Sequence, residues 1–127
     1  MDKKVIATST APAAVGPYSQ AVKAGGFLFL SGQLPLDPKT STITSTEIEG
    51  QTRQALTNIR SILVSEGLTL ANLVKTTVFM KDIADFTKMN GVYKEFFAVD
   101  APARSTFQVA NLPMNALVEI ESIAVIK

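Results

Sequence analysis

The chain has 127 residues, 46% of them hydrophobic and 18% charged, with twelve Lys and Arg against eleven Asp and Glu. Apolar surface on that scale offsets the entropy of ordering one domain of about this length, so disorder is excluded as the main state. A net charge of +1 without a basic run argues against a nucleic-acid partner, and the lack of cysteine and histidine removes disulfides, thiolate nucleophiles, the commonest metal ligand and the commonest general base.

Residues 5–8 predict a short first strand, and their apolar run is too short for the core of a signal peptide. No later stretch approaches the roughly 20 apolar residues of a membrane span, so a soluble, cytoplasmic protein without a membrane partner is expected. No linker or repeat divides the chain, which reads as one domain over 1–127. "PYSQAVKA" at 17–24 and "FLFLSGQ" at 27–33 flank Gly25-Gly26 and predict a hairpin. After a loop at "PLDPKT", Thr46 and Glu49 offer a capping box. Ile48, Ala55, Leu56, Ile59, Ile62 and Leu63 then recur at helical spacing as far as Gly67. "VKTTVFM" at 74–80 alternates as a strand. A second helix is expected from near Asp82 or Asp85, with Phe86, Met89, Tyr93, Phe96 and Phe97 on one stripe, weakened slightly by Gly91. "ARSTFQV" and "ALVEIESIAVI" predict two final strands. The order implies an α+β fold in which one mixed sheet carries both helices on one face and leaves the other face bare.

Alternation sorts the side chains of those final strands. Over 103–109, Arg104, Thr106 and Gln108 share one side, with Ala103, Ser105, Phe107 and Val109 on the other. Over 117–125, Leu117, Glu119, Glu121, Ile123 and Val125 share a side, opposite Val118, Ile120 and Ala124. A sheet face half apolar and half charged, with no helix left to cover it, is expected to be an oligomer interface containing a ligand site. Arg104 then has two readings: a half-exposed ion pair worth ~0–1 kcal/mol, or a guanidinium held to grip a small carboxylate bidentately. Glu119 is either the partner of Arg104 or a lysine, or an acid or base whose proton affinity apolar neighbours raise. Spacing alone does not choose between the two readings of Arg104, and for Glu119 it favours the ion pair.

Other candidates are weaker. Gly25, Gly26 and Gly32 are not followed by the Lys-Ser or Lys-Thr of a phosphate loop, and no serine has a histidine to activate it. Asp82, Asp85, Glu47 and Glu49 suit helix starts better than metal ligation, so no metal is expected. Tyr18 is either core or pocket wall, and Asn90 reads from spacing as a solvated helix residue.

"GPYSQAV" at 16–22, "LSGQLPLDP" at 30–38, "QTRQALTNI" at 51–59, "VKTTVFMKDIADF" at 74–86 and above all "PARSTFQVANLP" with "VEIESIAV" over 102–125 resemble the RidA family, also called the YjgF family. The resemblance runs collinearly through nearly the whole chain. It implies a chorismate-mutase-like fold assembled as a homotrimer, with sites in the clefts between subunits. It also implies cofactor-independent deamination of 2-aminoacrylate and 2-aminocrotonate, through 2-iminopropanoate and 2-iminobutanoate, to 2-oxo acids and ammonia. Carried over by position, the implied site is Tyr18, Ser31, Gly32, Asn90, Arg104, Thr106 and Glu119. For the chemistry, Arg104 is expected to hold the substrate carboxylate and Glu119, with a bound water, to mediate proton transfer. Several members carry cysteine where this chain has Thr106, so any thiol chemistry at that position is lost here. A non-catalytic regulatory protein that binds small ligands in the same pocket is the alternative.

Overall fold

The computed structural model describes residues 2–126. In chain order these form β1 (Lys4–Ile6), β2 (Ala21–Ala24), β3 (Phe27–Gln33), β4 (Leu36–Asp37), β5 (Thr42–Ile43), α1 (Ile48–Ser65), β6 (Leu73–Met80), α2 (Phe86–Phe96), β7 (Ala103–Gln108) and β8 (Val118–Val125). Six strands make one mixed sheet in the order β1-β2-β3-β8-β6-β7, in which only the β6–β7 pair is parallel. Among the described residues no helix is long and apolar enough to cross a membrane.

The α+β expectation holds, with three local corrections. The strand expected over 17–24 is ordered only from Ala21, because the buried Gln20 side chain takes over the backbone ahead of it. Gln20 Nε2 donates to the carbonyls of Thr8 (3.0 Å) and Pro12 (2.7 Å), and its Oε1 accepts from Thr8 N–H. The "PLDPKT" loop contains β4, which pairs with β5 in a separate two-stranded ribbon. The Thr46–Glu49 capping box does not form: Glu47 is the N-cap without a side-chain bond, and Ser45 Oγ accepts from Glu47 N–H instead. Reciprocal capping of that kind occurs at Thr69 and Asn72, on the short turn before β6.

Gly67 ends α1 for a backbone reason. Its φ of +72° lets its N–H reach Val64 O while Leu68 N–H reaches Leu63 O, which satisfies two carbonyls the helix would leave open. Gly25 and Gly26, at φ +59° and +83°, likewise supply the left-handed pair that a two-residue hairpin needs.

Both helices pack on one face. Ala55, Leu56, Ile59, Ile62 and Leu63 of α1 and Met89 of α2 meet Leu28, Val78, Met80, Val118, Ile120 and Ala124 of the sheet, all of them buried. Each large aliphatic side chain removed from water in this way contributes about 1.5–3 kcal/mol. The opposite face stays open, with Phe27, Phe29 and Phe107 each 40–45% exposed on it.

Candidate functional site

The sheet register places Arg104 and Glu119 on opposite faces. Arg104 pairs with Thr76 across the β6–β7 ladder and Thr76 with Ser122 of β8; Glu119 pairs with Phe79, and Phe79 with Phe107. Thr76 and Phe79 are three residues apart on one strand, so their rows project to opposite sides. The row of Arg104 faces the helices and that of Glu119 faces the open side. The two groups are separated by two strand spacings of ~4.8 Å, by about 10 Å along the strands, and by the sheet itself. The ion pair between them that spacing left open is absent.

Arg104 heads one cluster. Its Nη1 donates to Asn90 Oδ1 of α2 at 2.7 Å, and its Cζ lies 4.7 Å from the Tyr93 ring centroid and 5.5 Å from that of Phe86. Asn90 is solvent-exposed, as its spacing suggested, yet it is an Arg104 partner. Tyr93 shares a 2.7 Å hydrogen bond with the buried Thr76 hydroxyl. Burial pushes the Tyr93 phenol up, while the Thr76 bond and the Arg104 charge pull it down, so the ring beneath the guanidinium is neutral and offers its π face. Thr106 follows two residues along β7 on the same side; its hydroxyl is buried and has no hydrogen-bond partner among the described residues.

Glu119 heads the other cluster, in a cleft of about 680 Å³ that Tyr18, Ser31, Gly32, Leu34 and Met114 help to line. A bulge builds it. Leu30 pairs with Ser122 and Gln33 with Ile120, so Ser31 and Gly32 together oppose Glu121 alone. Ser31 is tied to the segment before β2, donating from its N–H to Gln20 O at 2.9 Å and from its hydroxyl to Ser19 O at 2.5 Å. Gly32 leaves room for the carboxylate: a Cβ there would lie 2.6 Å from Glu119 Oε2. Burial pushes the Glu119 carboxyl up, and the Glu121 charge adds to the effect. Among the described residues Glu119 has neither ion-pair nor hydrogen-bond partner. No group of three or more potential metal ligands occurs among them either.

The seven expected residues thus fall into two groups: Asn90, Arg104 and Thr106 at the β7–α2 edge, and Tyr18, Ser31, Gly32 and Glu119 in the cleft of the open face. Sequence reasoning placed Tyr93 and Phe86 only on the core stripe of α2. The signal for their second role lay in the spacing, since Phe86, Asn90 and Tyr93 are four and three apart and share a helix face.

The family model described as "Endoribonuclease L-PSP" matches residues 8–126. A RutC family protein of Pyrococcus horikoshii is 52% identical over 96% of this chain and 97% of its own length. The 2-iminobutanoate/2-iminopropanoate deaminase of Salmonella typhimurium is 46% identical over 96% of this chain and 97% of its own. A solved structure described as E. coli TdcF with bound serine superposes with a TM-score of 0.92 at 43% identity, covering 98% of this chain and 99% of that one.

Proposed function

The chain belongs to the endoribonuclease L-PSP family, the RidA/YjgF family, and from that membership we propose that it hydrolyses 2-iminopropanoate and 2-iminobutanoate to 2-oxo acids and ammonia. The observation that carries the reading is the division of labour between the two clusters. One presents a charged guanidinium fork, held by Asn90 and suited to a carboxylate; the other presents a carboxyl without an ion-pair partner among the described residues, whose proton affinity burial and Glu121 raise.

Arg104 holds the substrate carboxylate with the N–H groups that Asn90 leaves free. An imine carbon is already electrophilic, so positioning and a proton carrier supply the needed acceleration without a cofactor. Glu119, as carboxylate, takes a proton from a water while its oxygen bonds to C2. That proton passes to the imine nitrogen to give the carbinolamine; Glu119 then takes the carbinolamine hydroxyl proton and passes it to the amine as the C–N bond breaks, so that the carbonyl forms and ammonia leaves. Glu119 ends in its starting state. Backbone groups at Ser31 and Gly32 orient the water.

A small imino acid cannot touch both clusters of one chain, so the working site joins the Arg104 edge of one copy to the Glu119 cleft of the next. Such a contact uses two different patches, which is head-to-tail, and head-to-tail contacts form a ring where the rotation between copies closes; a homotrimer is the ring this reading takes. The test is turnover of the two imines, generated by a threonine dehydratase, with and without the protein. Arg104→Ala and Glu119→Gln proteins should each be inactive. Refolded together in equal amounts, they should recover about one quarter of wild-type activity, because one junction in four pairs an intact Arg104 with an intact Glu119. No recovery on mixing means that each chain carries its own complete site.

Gly32→Ala tests the cleft independently. The nearest atoms to the new Cβ belong to the far end of a flexible side chain, so Glu119 swings away and the fold survives. Turnover is expected to fall at least ~10-fold with Tm changed by only a few degrees. A fully active Gly32→Ala protein removes Glu119 from the chemistry.

The serine-bound relative favours one second reading, a ligand-binding regulatory protein. A protein of that kind binds 2-oxo acids and leaves the rate of imine decay unchanged.

A further inference from the structure

Arg104 sits on an edge strand, where a free arginine side chain loses up to about 2 kcal/mol of rotamer entropy when a ligand orders it. The structure removes much of that freedom beforehand. The Thr76 backbone pairs with that of Arg104, the Thr76 hydroxyl bonds the Tyr93 hydroxyl at 2.7 Å, and the Tyr93 ring lies 4.7 Å from the Arg104 Cζ. These three links close a loop that begins and ends on Arg104. Tyr93 is itself held firmly: it is 5% exposed, and Phe97 packs against it with ring centroids 4.6 Å apart. Thr76 is fully buried. Asn90 takes one edge of the guanidinium, and the aromatic rings of Tyr93 and Phe86 lie under it.

We propose that Tyr93, tethered by Thr76, is a positioning residue that sets the guanidinium of Arg104 before an anionic ligand arrives. The proposal rests on the carboxylate role given to Arg104 above. A tyrosine that merely fills the core affects all ligands alike through the stability of the fold, whereas one that positions Arg104 affects selectivity for a carboxylate. The measured quantity is therefore a ratio: affinity for 2-oxobutanoate divided by affinity for 2-oxobutanamide, its uncharged amide, both by calorimetry.

Tyr93→Leu removes the ring, and the ratio is expected to fall about tenfold, the scale of a partly desolvated cation–π contact. Tyr93→Phe keeps the ring and loses only the tether, and the ratio is expected to fall about two- to threefold through a looser tilt. Val92→Ala, a buried change on the same helix, is expected to lower Tm and leave the ratio at its wild-type value. The expected order is wild type, then Tyr93→Phe, then Tyr93→Leu, and any other order overturns the proposal. If Tyr93→Leu does not fold, a wild-type ratio in Tyr93→Phe overturns it alone. Arg104→Ala separates the two levels. A ratio near one keeps the carboxylate role whatever Tyr93 does, and an unchanged ratio removes that role itself.

Discussion

Arg104→Ala is expected to lower kcat/KM for both imines by about 10²- to 10⁴-fold, the loss of two charge-assisted hydrogen bonds at ~1.5–3 kcal/mol each. The fold should tolerate the change. Arg104 is only partly buried, forms no ion pair among the described residues, and its removal leaves Asn90 exposed to water, which replaces the lost donor. Arg104→Lys should fall in between, because an ammonium keeps the charge but loses both the planar fork and the stacking surface over Tyr93. The measurement is imine disappearance coupled to a threonine dehydratase, read above the spontaneous rate. Wild-type turnover by Arg104→Ala would dispose of the carboxylate clamp.

Glu119→Gln is expected to separate chemistry from stability. The amide matches the carboxyl in shape but cannot carry a proton between water and nitrogen, so kcat should drop about 10²- to 10⁴-fold while affinity for 2-oxobutanoate stays within a few-fold. Stability should move the other way. Burial and Glu121 raise the folded pKa of Glu119 above its unfolded value, so between the two values the folded state holds the extra proton. Stability therefore falls as pH rises through that window, and the penalty persists above it. The Gln variant lacks this penalty. Its Tm should exceed that of wild type at pH 7, and the difference should vanish below the unfolded carboxyl pKa of about 4.3. Equal Tm values at every pH would mean that the carboxyl does not experience the burial seen here. Loss of 2-oxobutanoate affinity without loss of kcat would make Glu119 an anchor and leave proton transfer to another group.

Much of the fold was legible because it depends on short-range periodicity. The alternation of 103–109 and 117–125 assigned each side chain to a side, and within the strands the structure keeps those sides, Arg104 with Thr106 and Glu119 with Glu121 and Ile123. Leu117, just ahead of β8, packs against the core instead of sharing the Glu119 side. The helical stripe of α1 and its stop at Gly67 were equally plain, since a 3.6-residue repeat and a left-handed glycine are local properties. The failures were local patterns outcompeted by other hydrogen bonds, one from the next residue and one from farther along the chain. Thr46 and Glu49 satisfy the capping-box pattern, but Ser45 takes the bond. Residues 17–20 look like strand, but Gln20 spends its amide on the backbone of Thr8, Ala11 and Pro12 instead of leaving that segment free to pair.

By itself the sequence determined which residue types were available and which neighbours along the chain share a side, because those follow from composition and from the periods of strand and helix. It therefore supplied all seven candidate residues, through their resemblance to a family pattern. Only the tertiary structure decided which of them meet. A parallel pairing of β6 with β7 and an antiparallel pairing with β8 turn two similar alternations to opposite faces, and a bulge at Ser31 and Gly32 opens room for one carboxylate. Strand order and register are set by contacts between residues far apart in the chain, and no local repeat encodes them. That is why Arg104 and Glu119, alike from spacing as isolated charges in apolar strands, end on opposite sides of the sheet, with Tyr93 beneath one and Gly32 beside the other.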